Sequence, residues 1–269
     1  MTWLVLRQHR AALGVFAVLF LGAAAGYLLF GRFGMDARTV YSDVSGFAQV
    51  IRYGEEFGRF LLVPLLIGMF VGAPLVSREL EHNTFRYAWT QGVSRSRWLA
   101  AKVLLAGGAI LVCSTIFSGA HMMWFAPVAP DLGWFQIFNQ GVPVFPASCL
   151  FAFALGVAAG TVVKQTVAAM ALTLFGGAVV FIALSRFRMS YMTPVELTVP
   201  SNGTFSTELP ENAKDGFLLS FGGSIDENVF TFHPADRFWP FQFIEAGIYV
   251  VLIAGCLATS FWWLRRKLS

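Results

Sequence analysis

The chain has 269 residues, of which 57% are hydrophobic and only 13% charged, and its mean hydropathy is +0.65. A soluble domain carries about a quarter charged residues, so this composition excludes an ordinary water-soluble fold and calls for a bilayer. The net charge of +4 arises from short basic clusters beside apolar runs, which speaks for membrane orientation and against a nucleic-acid surface.

A membrane helix needs roughly 20 apolar residues, at about 1.5 Å each, to cross about 30 Å of hydrocarbon. Six stretches meet or approach that length: residues 11–30, 60–76, 103–126, 146–163, 167–185 and 241–264. They predict an all-α polytopic membrane protein with one six-helix transmembrane domain over 1–269. The first run is too long for a signal-peptide core and no cleavage site follows it, so it reads as a retained span. Residues 31–59 mix aromatics with charges and predict a short interfacial helix over 47–57. The second span holds Pro64 and Pro74, which predict a kink or an outward extension. The fourth and fifth are separated only by Lys164, Gln165 and Thr166, a tight hairpin with a basic tip. Residues 186–240 contain Pro194, Pro200, Pro210, Pro234 and Gly203, Gly216, Gly222, Gly223, so a small external cap of short elements is expected there.

With both termini inside, Arg7, Arg10, Arg78, Arg86, Arg95, Arg97, Lys102, Lys164, Arg265, Arg266 and Lys267 face the cytoplasm, more than half of the 19 Lys and Arg. Positive-inside asymmetry therefore places both ends in the cytoplasm and residues 186–240 outside. Trp262 and Trp263 before Arg265 read as an anchor at the inner interface. Small residues recur every four positions at Gly22 and Gly26, at Gly68 and Gly72, and at Ala152, Gly156 and Gly160, faces that let helices approach closely or form a dimer seam. Cys113, Cys149 and Cys256 lie apart in apolar runs, with neither disulfide nor metal spacing, and read as small core residues.

Few residues carry chemistry. No Gly-x-x-x-x-Gly-Lys-Ser/Thr loop occurs, so nothing here cradles a triphosphate, and the chain is expected to bind no cofactor itself. Glu55-Glu56 with Arg59, and Phe117 with His121, resemble the motifs of a glutamate-type intramembrane protease. The arginine comes one residue early, a rotation of about 100° on a helix, and a second histidine motif is absent. An ion-coupled carrier usually keeps carboxylates near the midplane, and no span has an Asp, Glu, Lys or Arg near its centre. His121 is a candidate pathway residue, weighed against a neutral histidine hydrogen-bonded near the interface. Glu245 reads as an interfacial acid at the start of the last span.

The inner segment 77–102 is the most informative. Phe85, Ala88 and Trp89 share one helical face, which predicts a short amphipathic helix at the membrane surface; Gly92 ends it and Ser94 caps the stretch that leads into the third span. The pattern Arg78-Glu79, Asn83-Thr84, Trp89-Thr90-Gln91, Ser94-Arg95 to Lys102 resembles the segment between the second and third helices of type 2 ABC (ABC-2) permeases. Two further places resemble that family in its actinobacterial form: Arg7-Gln8-His9-Arg10, and Phe232-His233-Pro234-Ala235 with Arg237-Phe238-Trp239 through Glu245. The resemblance implies the type V exporter-like transmembrane domain, a non-catalytic subunit whose coupling helix docks onto a separate ABC ATP-binding subunit that holds ATP and Mg. It also implies a second permease copy, identical or a sister chain, and outward movement of an apolar or amphipathic cargo. The docking set it assigns is Arg78, Glu79, Glu81, Asn83, Thr84, Phe85, Arg86, Trp89, Thr90, Gln91, Ser94 and Arg95, with the two glutamates meeting basic residues of the ATPase and Phe85 and Trp89 filling a groove. The external gate region it suggests is His233, Arg237, Trp239 and Glu245.

Overall fold

The computed structural model describes residues 14–15, 17–29, 37, 62–82, 94–200, 215–223 and 227–267. The predicted interfacial helix at 47–57, the Arg7–Arg10 motif, the Glu55-Glu56-Arg59 group and residues 83–93 lie outside the described residues. Apolar runs become helices: α1 (Ala17–Leu29), α2 (Leu62–Glu81), α3 (Arg95–Phe125), α4 (Val144–Val163), α5 (Thr166–Phe187) and α6 (Phe238–Lys267). All but α1 belong to helical stretches long and apolar enough to cross a membrane, and the described part of α1 is shorter. The chain is a multi-pass membrane protein.

Chain direction alternates through the bundle. α2 ends and α3 begins at the end that carries Arg78, Arg95, Lys164 and Arg265, called here the basic end. α4 is the central helix, with 67% of its apolar window buried against 28% for those of α5 and α6, and it packs on α2, α3, α5 and α6. The small-residue stripes explain that position. A Cβ on Gly68 would lie 2.5 Å from the Ala152 carbonyl oxygen, one on Gly72 would lie 2.5 Å from that of Phe153, and one on Gly160 would lie 2.5 Å from that of Ala73. The Gly68/Gly72 stripe and the Ala152/Gly156/Gly160 stripe thus face each other, and the two backbones touch because neither side carries bulk. Gly22, by contrast, has nothing within 4 Å of its Cβ direction. Large apolar side chains point the other way: Leu104, Met123, Val167, Phe175, Val179 and Val251 are exposed on the outer faces of the bundle, where hydrocarbon would cover them.

The predicted distortion of the second span takes the form of a π-helical turn at Gly68–Gly72, in which the Ala73 N–H reaches back to the Gly68 carbonyl. It ends two residues before Pro74, which has no N–H to offer the preceding turn. Both helices around the inner segment are longer than their apolar runs: α2 continues to Glu81 and α3 starts at Arg95, so only 83–93 remains between them outside the described helix ends.

At the opposite end, residues 126–143 fold into short helical turns, including Trp134–Gln140, before α4. The 186–240 stretch adds a three-stranded antiparallel sheet to the otherwise all-α fold: β1 (Val195–Pro200), β2 (Phe217–Gly223) and β3 (Glu227–His233), in the order β1-β3-β2. Val195 pairs with Phe232, Phe217 pairs with His233, and a bulge separates Leu218 from Ser220. Phe230 and Phe232 are buried under Leu197, Val199 and Leu218. Phe217 stacks on Phe135 at 5.2 Å, which seats the sheet on the turns before α4.

Candidate functional site

At the basic end the two halves of the inner segment are held by side chains. Ser94 has extended backbone geometry and its Oγ accepts a bond from the Arg97 N–H at 3.3 Å, the N-cap that the sequence predicts for α3. Two turns further, Lys102, counted in the sequence among the charges that face the cytoplasm, is buried. Its Nζ donates to Glu79 Oε1 at 2.5 Å and to the Leu75 carbonyl at 3.1 Å, and lies 4.6 Å from the centre of the Trp98 ring. Burial of an ammonium is tolerated because an anion, a carbonyl and an aromatic face replace its water.

Glu81 reaches a different helix. Its Oε2 accepts from the backbone N–H of Thr166 at 3.0 Å and from the Thr166 hydroxyl at 2.6 Å. Thr166 is the first residue of α5, whose N-cap, Gln165, makes no side-chain cap of its own. Glu81 therefore caps α5 from α2, placing negative charge where the helix dipole favours it. Ser77 adds a bond to the Thr166 hydroxyl at 3.2 Å. On the far side of the segment, Arg265 of α6 donates to Ser96 at 3.0 Å. Arg266 lies over the Trp262 ring at 5.4 Å.

The sheet end holds a second polar cluster. Arg188 Nε and Nη2 donate to the two oxygens of Glu245 at 2.8 Å each, and Nη2 also donates to Asn139 Oδ1 at 2.8 Å. The guanidinium lies 3.9 Å from the centre of the Phe138 ring, and the Tyr191 hydroxyl meets Glu245 at 3.4 Å. Burial, and then the Glu245 charge, push the Tyr191 phenol well above its usual range, so it stays a donor. His233 is buried against Phe241, with Nε2 at 3.3 Å from the Met189 carbonyl and Nδ1 at 3.1 Å from Arg237, which also donates to Thr193. Burial lowers the His233 pKa, Arg237 lowers it further, and the Met189 carbonyl opposes both. Gln242 closes the cluster by accepting from the Val144 N–H at 3.1 Å and donating to the Phe138 carbonyl at 2.7 Å.

A family model described as ABC-2 membrane transporter related matches residues 37–188, more than half of the chain. The chain belongs to this family. Neither a curated protein nor a solved structure matches it. The matched stretch takes in α2 through α5 and the 83–93 connection, and leaves the sheet and α6 outside.

In this ABC-2 permease the sequence-read docking residues separate into groups. Arg78 and Ser94 are exposed and Arg95 is half-buried at the basic end, while Asn83, Thr84, Phe85, Arg86, Trp89, Thr90 and Gln91 lie outside the described residues. Glu79 and Glu81, offered to a partner in the sequence reading, each have a partner within the permease. Of the gate residues, Glu245 is wholly buried in an ion pair with Arg188, His233 and Arg237 meet each other, and Trp239 is exposed on the first turn of α6. His121 is wholly buried among rings, with centroids 4.8 Å from Tyr27, 6.3 Å from Phe117 and 6.0 Å from Trp124.

Sequence reasoning named Lys102 and Thr166 without the contacts they make, and it gave no polar role to Arg188, Tyr191, Asn139 or Gln242. Opposite charges just beyond the fifth apolar run and early in the sixth were a visible signal for the Arg188–Glu245 pair. Nothing local to Thr166 announces that it receives a carboxylate from a helix 85 residues earlier.

Proposed function

We propose that this permease is the membrane subunit of an ATP-driven exporter, working with a separate ABC ATP-binding subunit that holds ATP and Mg. The basic end faces the cytoplasm of a bacterial cell membrane, both termini lie there, and the 83–93 connection with Arg78, Ser94 and Arg95 forms the docking surface. Two permease copies, identical or sister chains, enclose the pathway. Closure of the ATPases pushes on the docking surface, the bundles reorient, and an apolar or amphipathic cargo leaves past the sheet end. The carrying observation is that the end of α2 and the start of α3, which flank residues 83–93 in the chain, lie together at the basic end and are tied into the bundle through Lys102 and Thr166. A displacement there has a rigid body to act on. The lack of Asp, Glu, Lys or Arg at the span centres supports an apolar pathway and gives no foothold to an ion-coupled carrier.

The test is affinity purification of the tagged permease from its host together with any ABC ATPase it retains, followed by ATP hydrolysis across a panel of amphipathic compounds. Retention of the ATPase and stimulation by some compounds are expected. Failure of any ABC ATPase to be retained, or cargo uptake through a binding protein, overturns the reading.

A further inference from the structure

A helix advances about 100° per residue, so side chains four apart share a face and side chains two apart point nearly opposite ways. The last turns of α2 use both facts. Leu75, through its carbonyl, and Glu79 converge on Lys102 of α3, while Ser77 and Glu81 converge on Thr166 of α5. The end of α2 is therefore gripped on two sides by two different spans, immediately before the 83–93 connection.

The two grips differ in kind. Lys102 is 1% exposed and its ion pair to Glu79 is shielded, so separating α2 from α3 there would strand a buried ammonium. The Glu81–Thr166 contact is open to solvent and rests on the hydroxyl and N–H of one residue at the start of a helix. Water can replace it, so it can be remade as the helices shift.

We infer that Lys102 and Thr166 are positioning residues for energy coupling: Lys102 makes α2 and α3 move as one body, and Thr166 passes the displacement of α2 to α5. The inference rests on the docking reading given above, and it assigns the transmission to residues outside the docking surface. The Thr166 hydroxyl is the specific element, because the Thr166 N–H alone leaves Glu81 a single contact to the start of α5.

The experiment uses the full permease–ATPase complex in nanodiscs, in a Cys256→Ala background, with spin labels attached through Leu66→Cys on α2 and Val179→Cys on α5, two exposed sites. Pulsed dipolar distances are compared without nucleotide and with ATP plus vanadate, alongside ATPase retention and hydrolysis. In Thr166→Val the ATPase is retained and hydrolyses ATP within twofold of the unmodified chain, while the ATP-driven change in the α2–α5 distance falls by more than half. Thr166→Ser, which keeps the hydroxyl, restores the change. Lys102→Met, with labels moved to Leu66→Cys and Leu104→Cys, broadens the α2–α3 distance distribution in both states. A Thr166→Val complex with an undiminished distance change, or a Thr166→Ser complex that fails to recover it, overturns the inference while leaving docking intact. An unmodified permease that retains no ATPase overturns docking, and the inference with it.

Discussion

Arg188 at the end of α5 and Glu245 two turns into α6 form a two-point ion pair, with both N–O distances at 2.8 Å, although 57 residues and an entire sheet separate them in the chain. The pair joins the last two spans at the sheet end, and Asn139 and Phe138 extend it to the turns that lead into α4.

Removing one member leaves the other charge buried and uncompensated, at a cost of about 3–5 kcal/mol. Arg188→Met and Glu245→Leu are therefore each expected to lower the thermal unfolding midpoint in detergent markedly. The double variant Arg188→Met/Glu245→Leu is expected to recover much of that loss, because a buried pair replaced by apolar groups is often neutral. Fluorescence-monitored melting of the three variants checks this; a double variant as unstable as the sum of the singles would contradict it.

The contact between α2 and α4 depends on bare backbone. Gly72→Ala places a Cβ 2.5 Å from the Phe153 carbonyl oxygen, and the helices must separate to admit it. Overpacking of this kind costs about 1–3 kcal/mol, whereas Gly108→Ala, with open space around its Cβ direction, is expected to be neutral or slightly stabilising on helix propensity. Parallel melting curves of the two variants measure the difference.

His233 supplies a pH dependence. Its pKa is depressed in the fold by burial and by Arg237, so folding favours the neutral ring and the unfolded chain binds the proton more readily. Stability from this group is complete above the unfolded value of about 6.5 and is lost as pH falls below it toward the folded pKa. Melting midpoints are expected to drop between pH 7.5 and pH 5, and His233→Gln is expected to flatten that drop. An unchanged slope in His233→Gln would assign the acid sensitivity elsewhere.

The docking proposed above has Phe85 and Trp89 fill a groove on the ATPase. Loss of a hot-spot aromatic costs about 2 kcal/mol or more, about 30-fold in affinity, so Trp89→Ala is expected to abolish ATPase co-purification under washes that the unmodified complex survives. Labelling of Ser94→Cys by a membrane-impermeant maleimide is expected only in inverted vesicles, since Ser94 is exposed at the end assigned to the cytoplasm. Labelling from the outside of intact cells would reverse the orientation and remove the docking surface from the ATPase.

Much of this was legible before folding. The helical, bilayer-crossing character follows from the length of apolar runs against bilayer thickness, a quantity each segment carries locally, and five described helical stretches are long and apolar enough to cross a membrane. Their ends were less legible: α2 runs on to Glu81 and α3 starts at Arg95 because a helix can continue past the hydrocarbon with polar residues satisfied by caps and ion pairs. The sheet in 186–240 was hidden by its prolines and glycines. The alternation of buried Asn228, Phe230 and Phe232 along β3 was the signal that was there to be read.

The amino-acid sequence by itself determined that the chain spans a bilayer several times, which residues are small enough for close helix contact, and that Ser94 starts a helix, because each of these depends on neighbours within a few positions. Only the tertiary structure decided that Glu79 belongs to Lys102, Glu81 to Thr166 and Glu245 to Arg188. A buried charge takes whichever opposite or polar group the packing of distant helices brings within reach, and the Gly-lined contact of α2 with α4 sets that packing.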